Sequence, residues 1–109
     1  MPTTYKVLGQ SNPSATTATT LYTVPSATQA VVSTITVCNQ AATAATYRIA
    51  VRVAGASLAA SQYLAYDVSL PGNATDTLTL GVTLGATDVI TVYASTATMS
   101  FSAFGSELS

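Results

Sequence analysis

Few residues of this chain could do chemistry. Lys6, Arg48 and Arg52 stand against Asp67, Asp76, Asp88 and Glu107, and histidine is absent. Without histidine the commonest general base and the commonest metal ligand are missing. A Ser–His–Asp or Cys–His arrangement is excluded. Lys6, the only lysine, has no Ser-x-x-Lys spacing to make it a nucleophile's partner. Asp67, Asp76 and Asp88 lie on separate elements and show no Asp-x-Asp spacing of a calcium loop. Turn capping and ion pairing are their expected roles. These absences point away from an enzyme, and no cofactor or metal is expected.

Arg48 and Arg52 are four apart on an expected strand, so they share a face about 13 Å apart. They could read an acidic partner or a phosphate. Pairing with carboxylates on neighbouring strands or subunits is the favoured role, and Asp67 and Asp88 are the available partners. Arg48, Arg52, Asp67 and Asp88 are thus the candidate ion-pair or interface residues. Cys38 is the only cysteine, which excludes an internal disulfide framework. It reads as a buried small hydrophobe, with a disulfide to another chain as the alternative. Asn73-Ala74-Thr75 matches a glycosylation pattern, but its physical reading is a turn. The six tyrosines outnumber all other aromatics and tryptophan is absent. Several lie on apolar faces, which favours core or interface packing over sugar stacking.

The elements that would position these residues read as strands. Ala30 to Val53 (AVVSTITVCNQAATAATYRIAVRV) holds two alternating runs around a polar break, Asn39 to Thr43. Tyr47, Ile49, Val51 and Val53 share one face, and Thr46, Arg48, Ala50 and Arg52 the other. A period of two is the signature of a half-buried strand. The two runs are expected to form one long antiparallel pair. Further strands are expected at Tyr5 to Leu8, Leu21 to Val24, Tyr63 to Leu70, Thr77 to Leu84, Asp88 to Ser95 and Thr98 to Ser106. Pro25 ends one of them because it lacks a donor. Pro71-Gly72-Asn73 and Gly85 to Thr87 are turns. Leu58 to Gln62 offers one helical turn.

About eight short strands at regular spacing indicate an all-β fold, an antiparallel, jelly-roll-like β-sandwich. Tyr47, Ile49, Val51, Leu78, Leu80, Val82, Ile90 and Val92 are its expected core. Residues 1–20 read as an N-terminal strand and extended arm, and 21–109 as the β-sandwich domain.

Apolar residues make up 49% of the 109 residues and charged residues only 6%. A typical soluble domain is about 25% charged. Charge depletion marks the centres of protein interfaces, so a surface packed on other subunits is expected. The one lysine and sparse charge also leave the strand edges poorly defended against pairing with other chains. With a net charge of −1 there is no basic patch to neutralise phosphates, which argues against nucleic acid. No apolar run approaches the roughly 20 residues of a membrane span. The start, MPTTYKVLG, has no apolar h-region, so no secretory signal is expected.

Three segments carry a resemblance. They are Leu21-Tyr22-Thr23-Val24-Pro25 with AVVSTITVCNQ, then ATYRIAV from Ala45 to Val51, and TLTLGVTLGATDVITVYASTATMSFSAFGSE. Together they resemble a family of short all-β virion structural proteins and appended domains of tailed bacteriophages, of the cyanophage and marine-phage type. The similarity spans Leu21 to Glu107. It implies a non-enzymatic viral protein located in the virion, oligomeric, and contacting the major capsid protein or tail and neck proteins. A capsid decoration (cement) protein is the favoured expectation. The alternatives are a neck, tail, baseplate or fibre-attachment component, and a carbohydrate-binding module for host recognition. The resemblance brings no catalytic residues.

Overall fold

A computed structural model describes residues 2–109. Eight strands follow one another: β1 Thr3–Ser11, β2 Thr19–Thr23, β3 Gln29–Asn39, β4 Ala45–Arg52, β5 Tyr63–Leu70, β6 Thr75–Leu84, β7 Val89–Ala94 and β8 Met99–Leu108. Two short 3₁₀ turns, Val53–Gly55 and Ala60–Gln62, lie between β4 and β5. The second falls inside the segment read as a helical turn.

The strands form two antiparallel four-stranded sheets, ordered β1-β8-β3-β6 and β2-β7-β4-β5. Within them β1 pairs with β8, β2 with β7, β3 with β6 and β4 with β5. First therefore meets last, and each later strand pairs one step further in. This nested pairing is that of a long hairpin rolled over itself, the jelly-roll arrangement. The expected all-β sandwich is the fold of the protein.

Alternation explains which side chains fill it. Ile35 and Val37 of β3, Tyr47 and Ile49 of β4, Ile90 and Val92 of β7, and Phe101 and Ala103 of β8 all point between the sheets. Each is at most 1% exposed. Tyr47 and Phe101 meet edge to face, their ring centres 6.1 Å apart, a favoured aromatic geometry.

Four expectations need correction. β3 and β4 do not pair; they belong to different sheets. The break after Asn39 is a corner, not a hairpin, and Asn39 holds it. Its side chain is fully buried. Its Nδ2 donates to the carbonyls of Thr43, Leu70 and Pro71, and its Oδ1 accepts from the Ala41 N–H and the Thr98 hydroxyl. A buried amide so fully satisfied fixes one path for the chain.

Leu80 does not join the core; it is 42% exposed. Val32 stands opposite Val82 but Thr34 opposite Thr79, so β6 carries an extra residue there. Gly81 takes a φ of +67° at that point, which glycine alone adopts without steric cost. This bulge breaks the alternation. Leu78 and Val82 pack against the core, as does Val51, while Leu80 turns out.

The expected N-terminal strand is present, but the segment after it is held against the domain rather than extended away from it. β1 pairs with β8 from Thr3 opposite Leu108 to Ser11 opposite Phe101, and Leu8 is part of the core. Gly9 packs so closely on the Leu21 carbonyl that a Cβ would overlap it. The following loop is tied down by Asn12, whose amide donates to the carbonyls of Ala97 and Met99, and by the Thr16 N–H on the Ala94 carbonyl. Pro13 is buried.

The edges, finally, are defended, though not by charge. The edge strands are β1, β2, β5 and β6. Each carries the extra residue of a bulge against its neighbour: at Leu8, at Leu21, at Tyr66–Asp67 and at Leu80–Gly81. Bulges twist an edge away from flat pairing with another chain.

Candidate functional site

Charged and aromatic groups gather at one place, the outer face of the β2-β7-β4-β5 sheet. β4 presents Arg48, Ala50 and Arg52 on that face, and β7 presents Tyr93 and Thr91. Arg48 stands opposite Tyr93, and Ala50 opposite Thr91. On the other side Ala50 faces Tyr63 of β5.

The bulge in β5 builds the rest. Tyr47 pairs with Val68 but Ile49 with Ala65, so Tyr66 and Asp67 occupy the space of one residue. Asp67 takes a φ of +51°, a conformation aspartate tolerates better than most residues. Consecutive side chains, Tyr66 and Asp67, are both exposed as a result. Arg48 Nε donates to Asp67 Oδ1 at 2.6 Å, and Nη2 donates to Oδ2 at 3.3 Å. The guanidinium carbon lies 4.2 Å from the centre of the Tyr66 ring and 4.3 Å from that of Tyr93. A planar cation is thus held by a carboxylate fork and two aromatic rings, which a lysine could not reproduce. Hydrogen bonding to Asp67 holds the Arg48 pKa above its ordinary value. Tyr63 completes the cluster, its ring centre 4.9 Å from that of Tyr66 and nearly perpendicular to it.

Beside Arg48 lies a cavity of about 200 Å³, bounded by Tyr63, Tyr93, Thr91, Leu58, Ala50 and Thr16. A shallower hollow of about 440 Å³ opens between Leu58, Ala59, Ala60, Tyr63 and Tyr66.

Of the four residues singled out from sequence, Arg48 and Asp67 come together. Arg52 and Asp88 do not. Arg52 Nε donates to the Ala56 carbonyl at 2.7 Å, Nη2 to the Gly55 carbonyl at 2.9 Å, and Nη1 to the Thr91 hydroxyl at 3.4 Å. It caps the 3₁₀ turn rather than meeting an acid. Asp88 accepts from the Ala54 and Gly85 N–H groups, both at 2.8 Å, and so closes two turns. Capping is the role its position between turn residues suggests. Asn73 sits exposed in a turn with φ of +56° and donates its N–H to the Ala41 carbonyl.

Cys38 corrects another expectation. It is half-buried, on the outer face of the other sheet, opposite Thr75 and Ser100. Val37 and Asn39 take the inward positions, and period two puts the residue between them outside.

Sequence reasoning missed Tyr66, Tyr93 and Tyr63 as a cluster around Arg48. The available signal was Arg48 and three tyrosines all in outward phase or next to a bulge. It also missed two bridges between the sheets. The Tyr47 hydroxyl donates to Asp76 Oδ2 at 2.8 Å, and the Tyr22 hydroxyl to Glu107 Oε2 at 2.5 Å. Lys6 joins the second bridge, with Nζ 3.2 Å from Glu107 Oε1.

Comparison of the chain with family models, with curated proteins and with solved structures found no match.

Proposed function

We propose that this protein is a non-enzymatic structural component that works by packing against other protein chains, as a virion protein of a tailed phage, with capsid decoration as its favoured place. One observation carries the assembly reading. Large apolar side chains stand on the surface in groups, on a chain that is only 6% charged. On the outer face of the β1-β8-β3-β6 sheet, Tyr5 is 83% exposed, Val7 49% and Val31 42%, and Phe104 lies among them. A second group lies between the edge strands β5 and β6, which belong to different sheets, where Leu64 is 50% exposed and Leu80 42%. Leu64 and Leu80 share a groove there with Ala65, Val68 and Leu78. Grouped apolar exposure marks surfaces that other proteins cover.

The bulged edges narrow how the packing would work. Strand addition at the edges is disfavoured, so contacts would run through sheet faces and the β5–β6 groove. The phage assignment rests on the sequence resemblance alone, and its placement on the shell is the narrower part of it. Virions purified from an infection would test both parts. Many copies spread over the shell are expected by cryo-microscopy, with the Tyr5–Val7–Val31 face or the β5–β6 groove against a neighbour. One small ring at the neck or tail would retain assembly and overturn decoration. Absence from every particle fraction would overturn the virion reading.

A further inference from the structure

We infer that the groove between β5 and β6 docks an apolar segment of a different protein, one that carries a lysine or arginine beside its aliphatic side chains. The inference rests on the assembly reading and names the partner chemistry for one of its two surfaces.

The groove is a seam that the sandwich leaves open. Across the molecule the other two edge strands, β1 and β2, close on each other where Gly9 packs on the Leu21 carbonyl. Between β5 and β6 a hollow of about 360 Å³ remains. Its floor is Ala65, Val68 and Leu78, which are partly buried and pack against the core. Its rims are the exposed side chains of Leu64 and Leu80. An occupant would therefore extend the core. Exposed apolar surface of this kind is what partner proteins cover.

Charge selects the occupant. Asp76 also lines the groove. Its Oδ2 accepts from the Tyr47 hydroxyl. Its Oδ1 has no partner among the described residues, and no buried polar side-chain atom there goes unpaired, so Oδ1 is open to solvent. No cation of the chain answers it. Lys6 pairs with Glu107 and Arg48 with Asp67, while Arg52 donates to the Ala56 and Gly55 carbonyls. A purely apolar occupant would strip water from that carboxylate with nothing in return. A segment bringing an ammonium or guanidinium would pair with it through a charge-assisted hydrogen bond.

The same pairing argues against a second copy. Its lysine and arginines are engaged in the same way. A two-fold contact across the groove would also set two Asp76 carboxylates against each other. The partner is thus a different chain.

The rims decide how it docks. The bulges at Tyr66–Asp67 and Leu80–Gly81 interrupt both edges, so the partner presents side chains rather than a paired strand. Val68 stands opposite Tyr47, whose hydroxyl meets Asp76, and these residues mark one end of the groove. Leu64 and Leu80 each lie four residues along their strands from that end, roughly 10–13 Å away by strand rise. The partner's cation and its outermost aliphatic group are expected at that separation.

Selection of a random dodecapeptide library on the full chain, with the Leu80→Ser chain as counter-selection, tests this. The expected consensus holds two aliphatic or aromatic residues and one lysine or arginine. Asp76→Asn, which still accepts from the Tyr47 hydroxyl, and replacement of the peptide's cation by glutamine then form a double-mutant cycle. Each change alone is expected to weaken binding at least about tenfold, the equivalent of 1.4 kcal/mol. The second change should add little once the first is made. A consensus without a cation, or two independent effects, overturns the charge match. If no peptide distinguishes the parent from Leu80→Ser, the site is overturned. Self-association of the parent that Leu64→Ser abolishes overturns the choice of a different protein. Peptides that bind instead at the Tyr5–Val7–Val31 face, and are lost in Val7→Ser, overturn the groove but leave the assembly reading standing.

Discussion

The Tyr47 hydroxyl reaches from one sheet to Asp76 Oδ2 on the other, at 2.8 Å. Tyr22 makes the matching bridge to Glu107 near the opposite side of the sandwich. Both phenols come from the β2-β7-β4-β5 sheet and both carboxylates from its partner. Burial first, then the hydrogen bond and charge of the carboxylate, push both phenol pKa values well above the ordinary 10.0.

That shift sets an alkaline limit. Ionising these phenols is harder in the folded protein than in the unfolded chain. Their contribution is complete below the ordinary phenol pKa and is lost as pH climbs beyond it. Stability measured by denaturant is therefore expected to fall above about pH 10. Two tyrosines should ionise only with unfolding when phenolate absorbance is followed. Tyr47→Phe should flatten the alkaline limb and cost about 1 kcal/mol at neutral pH. An unchanged limb in that variant would show that the bridge does not couple to folding.

Glu107 supplies the acid counterpart. The Tyr22 hydroxyl, with Lys6 behind it, holds its pKa below the ordinary carboxylate value. A depressed carboxylate contributes fully above its unfolded pKa and loses that contribution as pH falls through the folded one. Glu107→Gln should be less stable than the parent near neutrality and converge with it below about pH 4. Parallel stability curves across that range would contradict the assignment.

Core and surface aliphatic side chains on the paired strands β3 and β6 should differ sharply. Ile35 is fully buried, whereas Leu80 is turned out by the Gly81 bulge. Ile35→Ala is expected to cost about 2–5 kcal/mol. Leu80→Ala should change stability by less than about 1 kcal/mol. Urea midpoints of the two variants check this, and equal losses would mean that the β6 register is wrong.

The alternation that marks Tyr47, Ile49, Ile90 and Val92 was legible because a strand's period survives any strand order. The order itself was not legible. Val37-Cys38-Asn39 and Ala45-Thr46-Tyr47 look like the arms of a hairpin, and only the buried bonds of Asn39 make the break a corner. Leu78, Leu80 and Val82 alternate without fault in sequence, and the bulge hides behind one glycine. Opposite charge made Arg48–Asp67 readable. The stacking of Tyr66 on Arg48 depends on a two-for-one register at β5, which residue types do not encode. Arg52 was misread because backbone carbonyls of a turn compete with carboxylates for a guanidinium.

Arg48 offers a sharper test of the site than its charge suggests. Arg48→Lys keeps the charge but loses the fork on Asp67 and the two stacked faces. The melting temperature should drop by a few degrees, and the near-ultraviolet dichroism of the tyrosines should weaken. If a lysine preserved both, the cluster would be held by charge alone and the planar stack would be incidental.

The N-terminal strand gives the last test, because an arm and a structural strand behave oppositely on removal. Residues 3–11 form a ladder along β8, Leu8 fills the core, and Gly9 fits against Leu21. Deleting residues 2–20 would strip β8 of one neighbour and expose the side of Phe101 and Ala103. It would also remove the Thr16 and Asn12 anchors on the β7–β8 connection. A domain of this size has about 5–15 kcal/mol of total stability, and losing a whole strand consumes most of it. The truncated chain is expected to aggregate, or to lose cooperative unfolding and NMR dispersion. Gly9→Val is the point version: its side chain must displace the Leu21 carbonyl, so it should destabilise without removing any contact of β8. A truncated chain with native dispersion would mean that β1 is an appendage and that the sandwich closes without it.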